Sequence, residues 1–282
     1  MNAPTQTPET TDVHMHPGRM ADVRITALAK RYGNADTGVL AMAGVDLHVA
    51  SGEFIAVVGA SGCGKSTLLR IVAGFEQATA GSVEVGGKPV TAPGPDRGVV
   101  FQDYGLFPWL TVRENVMFGP RQKRMTRRAA GTIADRYIEA VGLGRFAAHY
   151  PGQLSGGMQQ RVAIARVLAI DPSVLLMDEP FGALDALTRS ELQTELRRIH
   201  VDTKTTVLFV THSIEEAVYL ADRVVVMTGG ASHGLPGHVK AIVPVDLTDR
   251  DVTGVAFNAL KREISELVHA DRGSTPVAAG TS

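Results

Sequence analysis

Cysteine and tryptophan are almost missing from this chain: among 282 residues there is one of each, Cys63 and Trp109. A single thiol cannot close an intrachain disulfide, so packing must hold the fold, and nothing points to an oxidising compartment. A cytoplasmic protein is expected. Charge imbalance is also missing, since 28 basic and 29 acidic side chains leave a formal net charge of −1. No global positive field exists to hold a polyanion by counterion release, so nucleic acid is not expected as a partner. Long apolar runs are lacking too. The stretches Arg161 to Ile170 and Thr206 to Val210 fall well short of the ~18 residues of a membrane helix, so the chain is not expected to cross a bilayer by itself. Residues 1–20 are rich in Pro, Thr and Glu, lack the apolar segment of a signal peptide, and are expected to form a disordered tail.

What is present, 44% hydrophobic and 20% charged residues, suffices for a sizeable core. Short β-rich runs alternate with helical patterns, which predicts an α/β core around a largely parallel sheet with some antiparallel strands. The clearest strands are Phe54 to Val58, Val99 to Phe101, Val174 to Met177, Val207 to Val210 and Val224 to Met227. Val23-Ile25 and Val45-Leu47-Val49 alternate with polar neighbours, as half-exposed strands at the edge of the fold would. Between Gly119 and Asp171 the apolar period becomes helical, with Ala129, Ile133, Ala134, Tyr137, Ile138 and Val141 at steps of three and four. After Asp246 a second such stripe runs through Ala256, Leu260, Ile264, Leu267 and Val268.

The segment from Phe54 through Gly59, Ser61, Gly62, Cys63, Gly64, Lys65, Ser66 and Thr67 matches G-x-x-x-x-G-K-[ST] between a strand and a helix start. The glycines let successive N–H groups turn onto phosphate oxygens, and the helix adds its positive end. Lys65 is expected to reach the β and γ phosphates and Ser66 to bind Mg²⁺. Cys63, beside that helix start, reads either as a thiol of lowered pKa, whose alkylation would block nucleotide binding, or as a small filler. Further on, Val174 to Met177 deliver Asp178 and Glu179 to the end of a buried strand, the edge where α/β sheets bind ligands. Asp178 is the expected metal carboxylate and Glu179 the expected base for an attacking water.

A glycine loop alone would admit kinases, GTPases, helicases and motors. The run Leu154-Ser155-Gly156-Gly157-Met158 ahead of an amphipathic helix is a second anion-binding device in one chain. It resembles the signature of the ATP-binding cassette (ABC) ATPases, with Met158 where the family usually has Gln, and the resemblance covers about residues 21–245. It implies a P-loop NTPase fold with a RecA-like α/β core, an antiparallel β subdomain and an inserted helical subdomain at about 119–171, followed by a helix and tail over 246–282. It also implies ATP and Mg²⁺ as ligands, and a head-to-tail pair of subunits in which Ser155, Gly156 and Gly157 act on the partner's nucleotide. Four further positions match the family: Tyr32 for adenine stacking, Gln102 for Mg²⁺ and water, Asp185 in the loop that crosses to the partner, and His212 for the γ-phosphate.

The run from Gln102 through Phe107-Pro-Trp109 to Gly119 places aromatics in a loop, which bury themselves or meet a partner. The resemblance implies the latter: membrane permease subunits dock at 102–119, served indirectly by a solute-binding protein, with this subunit at the cytoplasmic face of the membrane. Phe107-Pro-Trp109, the stretch from Asp178 to Arg189 and the stretch from Thr211 to Val218 look most like the nitrate/sulfonate/taurine importer ATPases. Residues 246–282 are too few for the regulatory barrel of sugar-importer ATPases. The basic stretch from Arg121 to Arg128 reads as a solvated helix face or a lipid-headgroup contact, and His14 with His16 as a weak metal candidate. Two rivals remain at this point: a soluble ABC ATPase acting on DNA or ribosomes, and a P-loop kinase. The first usually carries coiled-coil insertions or fused cassettes, and the second gives no reason for Leu154 to Met158.

Overall fold

The computed structural model describes residues 20–34, 38–101, 104–182, 184–230 and 234–270. In chain order it contains β1 (Val23–Tyr32), β2 (Val39–Val49), β3 (Phe54–Gly59), α1 (Lys65–Ala73), β4 (Ala80–Val85), β5 (Lys88–Pro89) and β6 (Arg97–Val100). There follow α2 (Val112–Gln122), α3 (Arg127–Ala140), α4 (Gly156–Leu168), β7 (Val174–Asp178), α5 (Ala186–Thr203), β8 (Thr206–Val210), α6 (Ile214–Leu220), β9 (Arg223–Gly230), β10 (Leu235–Pro244) and α7 (Val255–His269). The described strands form one sheet in the order β5-β4-β1-β2-β10-β9-β3-β8-β7-β6. From β6 to β9 all neighbours run parallel. Beyond β9 the pairing turns antiparallel, apart from a single parallel bridge between β10 and β2.

Every residue of β3 is buried, because the sheet is covered on both faces there, as its unbroken apolar sequence requires. Phe54, Ala56 and Val58 belong to the core shared with α4, α5, α6 and α7, whereas Ile55 and Val57 belong to the core shared with α1, β1, β2 and β4. The period-2 alternation of β1 and β2 also holds, with Val23, Ile25, Val45, Leu47 and Val49 inward. Neither is an edge strand, however. β4 and β5 lie outside β1, and β2 joins β10, so the polar outer residues reflect one solvated face of an antiparallel wing.

Three boundaries differ from the sequence reading. The strand expected over Val99 to Phe101 ends at Val100, leaving Phe101 outside and 37% exposed, because the pairing with β7 stops at Val100↔Met177. The helical region opens at Val112 rather than Gly119, since Thr111 and Glu114 form a reciprocal capping box there. On α7, Phe257 rather than Ala256 takes the buried position, together with Ile264.

The helical region hangs on Asn115, which is fully buried. Its amide oxygen accepts the Phe107 N–H at 2.9 Å, and its amide nitrogen donates to the carbonyls of Phe107, Leu110 and Thr111 at 3.0–3.1 Å. One side chain thereby satisfies the backbone of the aromatic loop and ties it to α2. Asn115→Ala leaves those groups unpaired, and we expect a loss of about 2–4 kcal/mol of stability in urea denaturation; an unchanged midpoint would contradict this role.

Candidate active site

Parallel pairing brings the C-terminal ends of β3, β8 and β7 to one edge: Val57 lies opposite Val210, Val210 opposite Asp178, and Gly59 ends β3 two residues further on. The glycine loop leaves β3 there. A Cβ at Gly59 would collide with the Met227 carbonyl of the neighbouring strand, and Gly64 caps α1 at φ 99°, a left-handed conformation costly for any side chain. Lys65, only 5% exposed, donates from Nζ to the carbonyls of Gly59 at 2.8 Å and Ala60 at 3.1 Å. A buried ammonium held by its own loop, at the start of a helix, is a cradle with its cation already in place. The Ser66 hydroxyl donates to Asp178 Oδ1 at 3.0 Å, joining the start of α1 to the end of β7. These two oxygens form a hard donor pair of the kind Mg²⁺ takes.

Glu179 turns away from β7 with φ 48°, and its N–H donates to the Val210 carbonyl at 2.9 Å. Holding a glutamate in that left-handed region costs of order 1–3 kcal/mol, a form of strain that gathers at functional sites. The outcome is a short contact, 2.6 Å, between Glu179 Oε1 and His212 Nε2, where His212 follows β8. The sequence stretches around residues 65, 178 and 212 thus meet at one place. Thr211 and Ser213 brace this corner. Thr211 donates to Glu216 Oε2 at 2.5 Å, and Ser213 caps α6 by accepting the Glu216 N–H at 3.2 Å.

Tyr32 stands beside the loop, 39% exposed, with its hydroxyl 3.4 Å from that of Thr67. Lys30, which sequence reasoning missed, places Nζ 4.9 Å from the ring centroid while bonded to Glu76 at 2.7 Å and the Gln77 carbonyl at 2.9 Å. The ring is steadied by a cation. Ser61 and Gly62 lie in the loop with exposed residues, as a cradle open to solvent requires.

At Cys63 the structure decides between the two sequence readings. The side chain is fully buried, and burial pushes its thiol pKa up, against the opposing pull of the Lys65 cation. It is the small filler, packed in the core beneath the loop, and its thiol pKa is not lowered. Gln102 lies outside the described residues, as do His14 and His16.

Ser155 caps α4, its Oγ accepting the Met158 N–H at 3.3 Å. A Cβ at Gly156 would sit 2.9 Å from the Tyr104 hydroxyl, so the ring of Tyr104 packs against this turn. Asp185 caps α5 by accepting the Thr188 N–H at 3.0 Å, and those hydrogen bonds hold its carboxyl below the usual range. Together Ser155, Gly156, Gly157 and Asp185 line a cavity of about 510 Å³. No residue of the glycine loop lines it. Within one copy the glycine loop and the Ser155 turn therefore do not share this cavity.

At the far end of α4, Arg166 donates to the carbonyls of Gly105 at 2.6 Å and Tyr104 at 3.2 Å and lies 5.5 Å from the Phe107 ring. Burial lowers its pKa below the ordinary arginine value. The signal for it was present, one arginine in the apolar run Val162 to Leu168. Phe107 in turn packs on Phe118 and Trp109 at centroid distances of 4.6 and 5.7 Å. Trp109 is 70% exposed, so core burial does not explain it. A groove of about 610 Å³ lies beside it, lined by Leu110, Met117, Phe118 and Arg121. The basic stretch from Arg121 to Arg128 is exposed throughout.

A strand-edge cradle with a buried lysine, a serine–aspartate pair and a braced glutamate defines a P-loop nucleotide-binding protein. Residues 42–182 match the family model described as ABC transporter. The chain is 50% identical over 247 residues to an uncharacterized ABC transporter ATP-binding protein of Methanocaldococcus jannaschii, covering 87% of this chain and 91% of that protein. It is also 50% identical to the bicarbonate transport ATP-binding protein CmpD of Synechocystis sp., covering 82% of each. It is 52% identical to the nitrate import ATP-binding protein NrtD of Synechococcus elongatus, over 68% of this chain and 70% of that one. Among solved structures, a dimeric ATP-binding cassette in a post-hydrolysis state bound to ADP and Pi superposes with a TM-score of 0.70 at 32% identity, covering 80% of this chain and 99% of that one. The chain belongs to the ABC transporter ATP-binding family and is an ATP-hydrolysing cassette.

The burial of Cys63 sets its reactivity. In the native protein we expect alkylation by iodoacetamide to run at least about tenfold slower than in the urea-unfolded chain, since both access and thiolate fraction are reduced. Equal rates, followed by mass spectrometry, would contradict it.

Proposed function

We propose that the chain is the ATPase subunit of an importer, working as a head-to-tail pair in which each copy's Ser155-Gly156-Gly157 turn completes the site built on the other copy's glycine loop. The observation that carries this reading is the separation of the two half-sites: the cavity before the signature turn lacks any glycine-loop residue. A second copy supplies the missing half, and the related cassette described above was solved as a dimer bound to ADP and Pi.

In this reading the loop N–H groups and Lys65 hold the phosphates, and Tyr32 stacks on adenine. Ser66 and Asp178, with Gln102, hold Mg²⁺, which when bound neutralises phosphate charge. Glu179 accepts hydrogen-bonding from the attacking water and polarises it, while His212, oriented by its contact with Glu179, faces the γ-phosphate. The Ser155 hydroxyl and the positive end of α4 approach the same phosphate from the partner, a role comparable to an arginine finger in trans.

The exposed Trp109 and Phe118 with the adjoining groove support a docking site for membrane permease subunits within 102–119. No helix among the described residues is long and apolar enough to cross a membrane, which accords with a peripheral subunit on the cytoplasmic face. A nitrate/sulfonate/taurine-type solute, delivered by a solute-binding protein, is the cargo we favour on the likeness to the nitrate import protein. The bicarbonate relative is equally similar, so the cargo is set by the partners rather than by the cassette. Reconstitution with the permease encoded by adjacent genes, followed by uptake of labelled nitrate, bicarbonate and taurine, tests this.

Two substitutions test the composite site. Glu179→Gln should keep ATP binding, lose turnover by a factor of about 100 or more and accumulate a nucleotide-bound dimer in gel filtration; a monomer with normal turnover sinks the reading. Ser155→Ala should leave ATP affinity of the dilute monomer intact and slow hydrolysis, at a stability cost of about 1 kcal/mol from the lost helix cap. Equal loss of monomer binding would place Ser155 on its own copy's nucleotide instead.

A further inference from the structure

The signature cavity contains a cation that the signature itself does not account for. Arg145 lines it, on the 3-10 turn Gly144–Phe146 between α3 and α4. This turn is pinned by backbone bonds, Leu143 N–H to the Ile138 carbonyl at 2.9 Å and Phe146 N–H to the Leu143 carbonyl at 2.8 Å. A Cβ at position 144 would collide with the Glu139 carboxylate, so the chain is packed tightly there. The Arg145 guanidinium lies 4.9 Å from the Phe146 ring centroid, which orients it. No carboxylate among the described residues pairs with it.

The other charged groups of the cavity are occupied. Arg161 donates to the Val141 carbonyl and to Glu191, each at 3.1 Å, and Asp185 is engaged in capping α5. The positive end of α4, a helix of 13 residues, opens into the same space. A cavity with a free guanidinium, a positive helix end and an acid already engaged by N–H donors favours a polyanion.

Resting on the composite-site reading, we propose that Arg145 is a further catalytic residue acting across the dimer, its guanidinium contacting the phosphates of the ATP held by the partner copy's glycine loop. Its planar fork of donors matches phosphate oxygens, and closure of the dimer removes water from both groups. Because the contact exists only after closure, Arg145 strengthens the ATP-bound dimer and leaves the monomer's grip on nucleotide unchanged.

The test uses the full chain. Arg145→Ala, diluted to a monomer, should bind ATP as the unaltered protein does, while its ATPase activity needs about tenfold more ATP for half-saturation. Arg145→Lys should recover part of that shift, which a role in folding alone would not explain, and matching urea midpoints exclude misfolding. Mixing Arg145→Ala with Lys65→Ala creates dimers in which one site has an intact glycine loop facing an intact Arg145. At low ATP the mixture should therefore hydrolyse faster than the sum of its components. An Arg145→Ala protein with unchanged ATP dependence, or a mixture no faster than its parts, overturns the proposal while leaving the dimer reading intact if Glu179→Gln still dimerises with ATP. Failure of Glu179→Gln to dimerise removes both.

Discussion

Parallel pairing of β3 with β8, and of β8 with β7, is the constraint from which the site follows. Backbone hydrogen bonds fix Val57 opposite Val210 and Val210 opposite Asp178, so three distant chain segments end on adjacent strands, β3 and β7 each one strand spacing from β8. Burial on both faces leaves these strands no freedom to slip, since a shift by one residue would exchange their two cores. The Ser66 to Asp178 bond and the Glu179 to His212 contact are consequences of that register. So is the strain at Glu179, whose N–H is held by the carbonyl of Val210.

The second organising element is α4. Its first turn carries Ser155, Gly156 and Gly157, and its last turn carries Arg166, half-buried and bonded to the carbonyls of Tyr104 and Gly105. Tyr104 touches the first turn through its ring and the last turn through its carbonyl. Arg166 reaches the same loop again through Phe107, and Phe107 supports Trp109 and Phe118. The signature turn and the exposed aromatic patch are thereby fastened to one helix.

Much of this was legible in the residues. The glycine loop, the two acids after an apolar strand and the signature turn are local patterns whose chemistry depends on neighbours in sequence, and all three sit where their spacing placed them. The helical region and the alternation of β1 and β2 were legible for the same reason. The capping box at Thr111 and Glu114 was written in the sequence but overlooked, which cost the first seven residues of the helical region. The edge position assigned to β1 and β2 failed because alternation reports a solvated face and says nothing about what pairs along the hydrogen-bonding direction. Which of the two readings of Cys63 holds, reactive thiol or small filler, was not legible, because the loop's path, and hence the burial of that one side chain, is a property of the packed sheet.

The sequence by itself determined the class of chemistry, since phosphate cradling and carboxylate placement need only short runs with fixed backbone geometry. Tertiary structure alone decided which long-range partners those runs acquired: Asp178 for Ser66, His212 for Glu179, Lys30 behind Tyr32, and Arg166 beneath the aromatic loop. It also decided that the two anion-binding turns of one copy do not share a cavity. The physical reason is that such contacts depend on strand order and helix packing, which are fixed by burial summed over the whole chain and carry no local pattern.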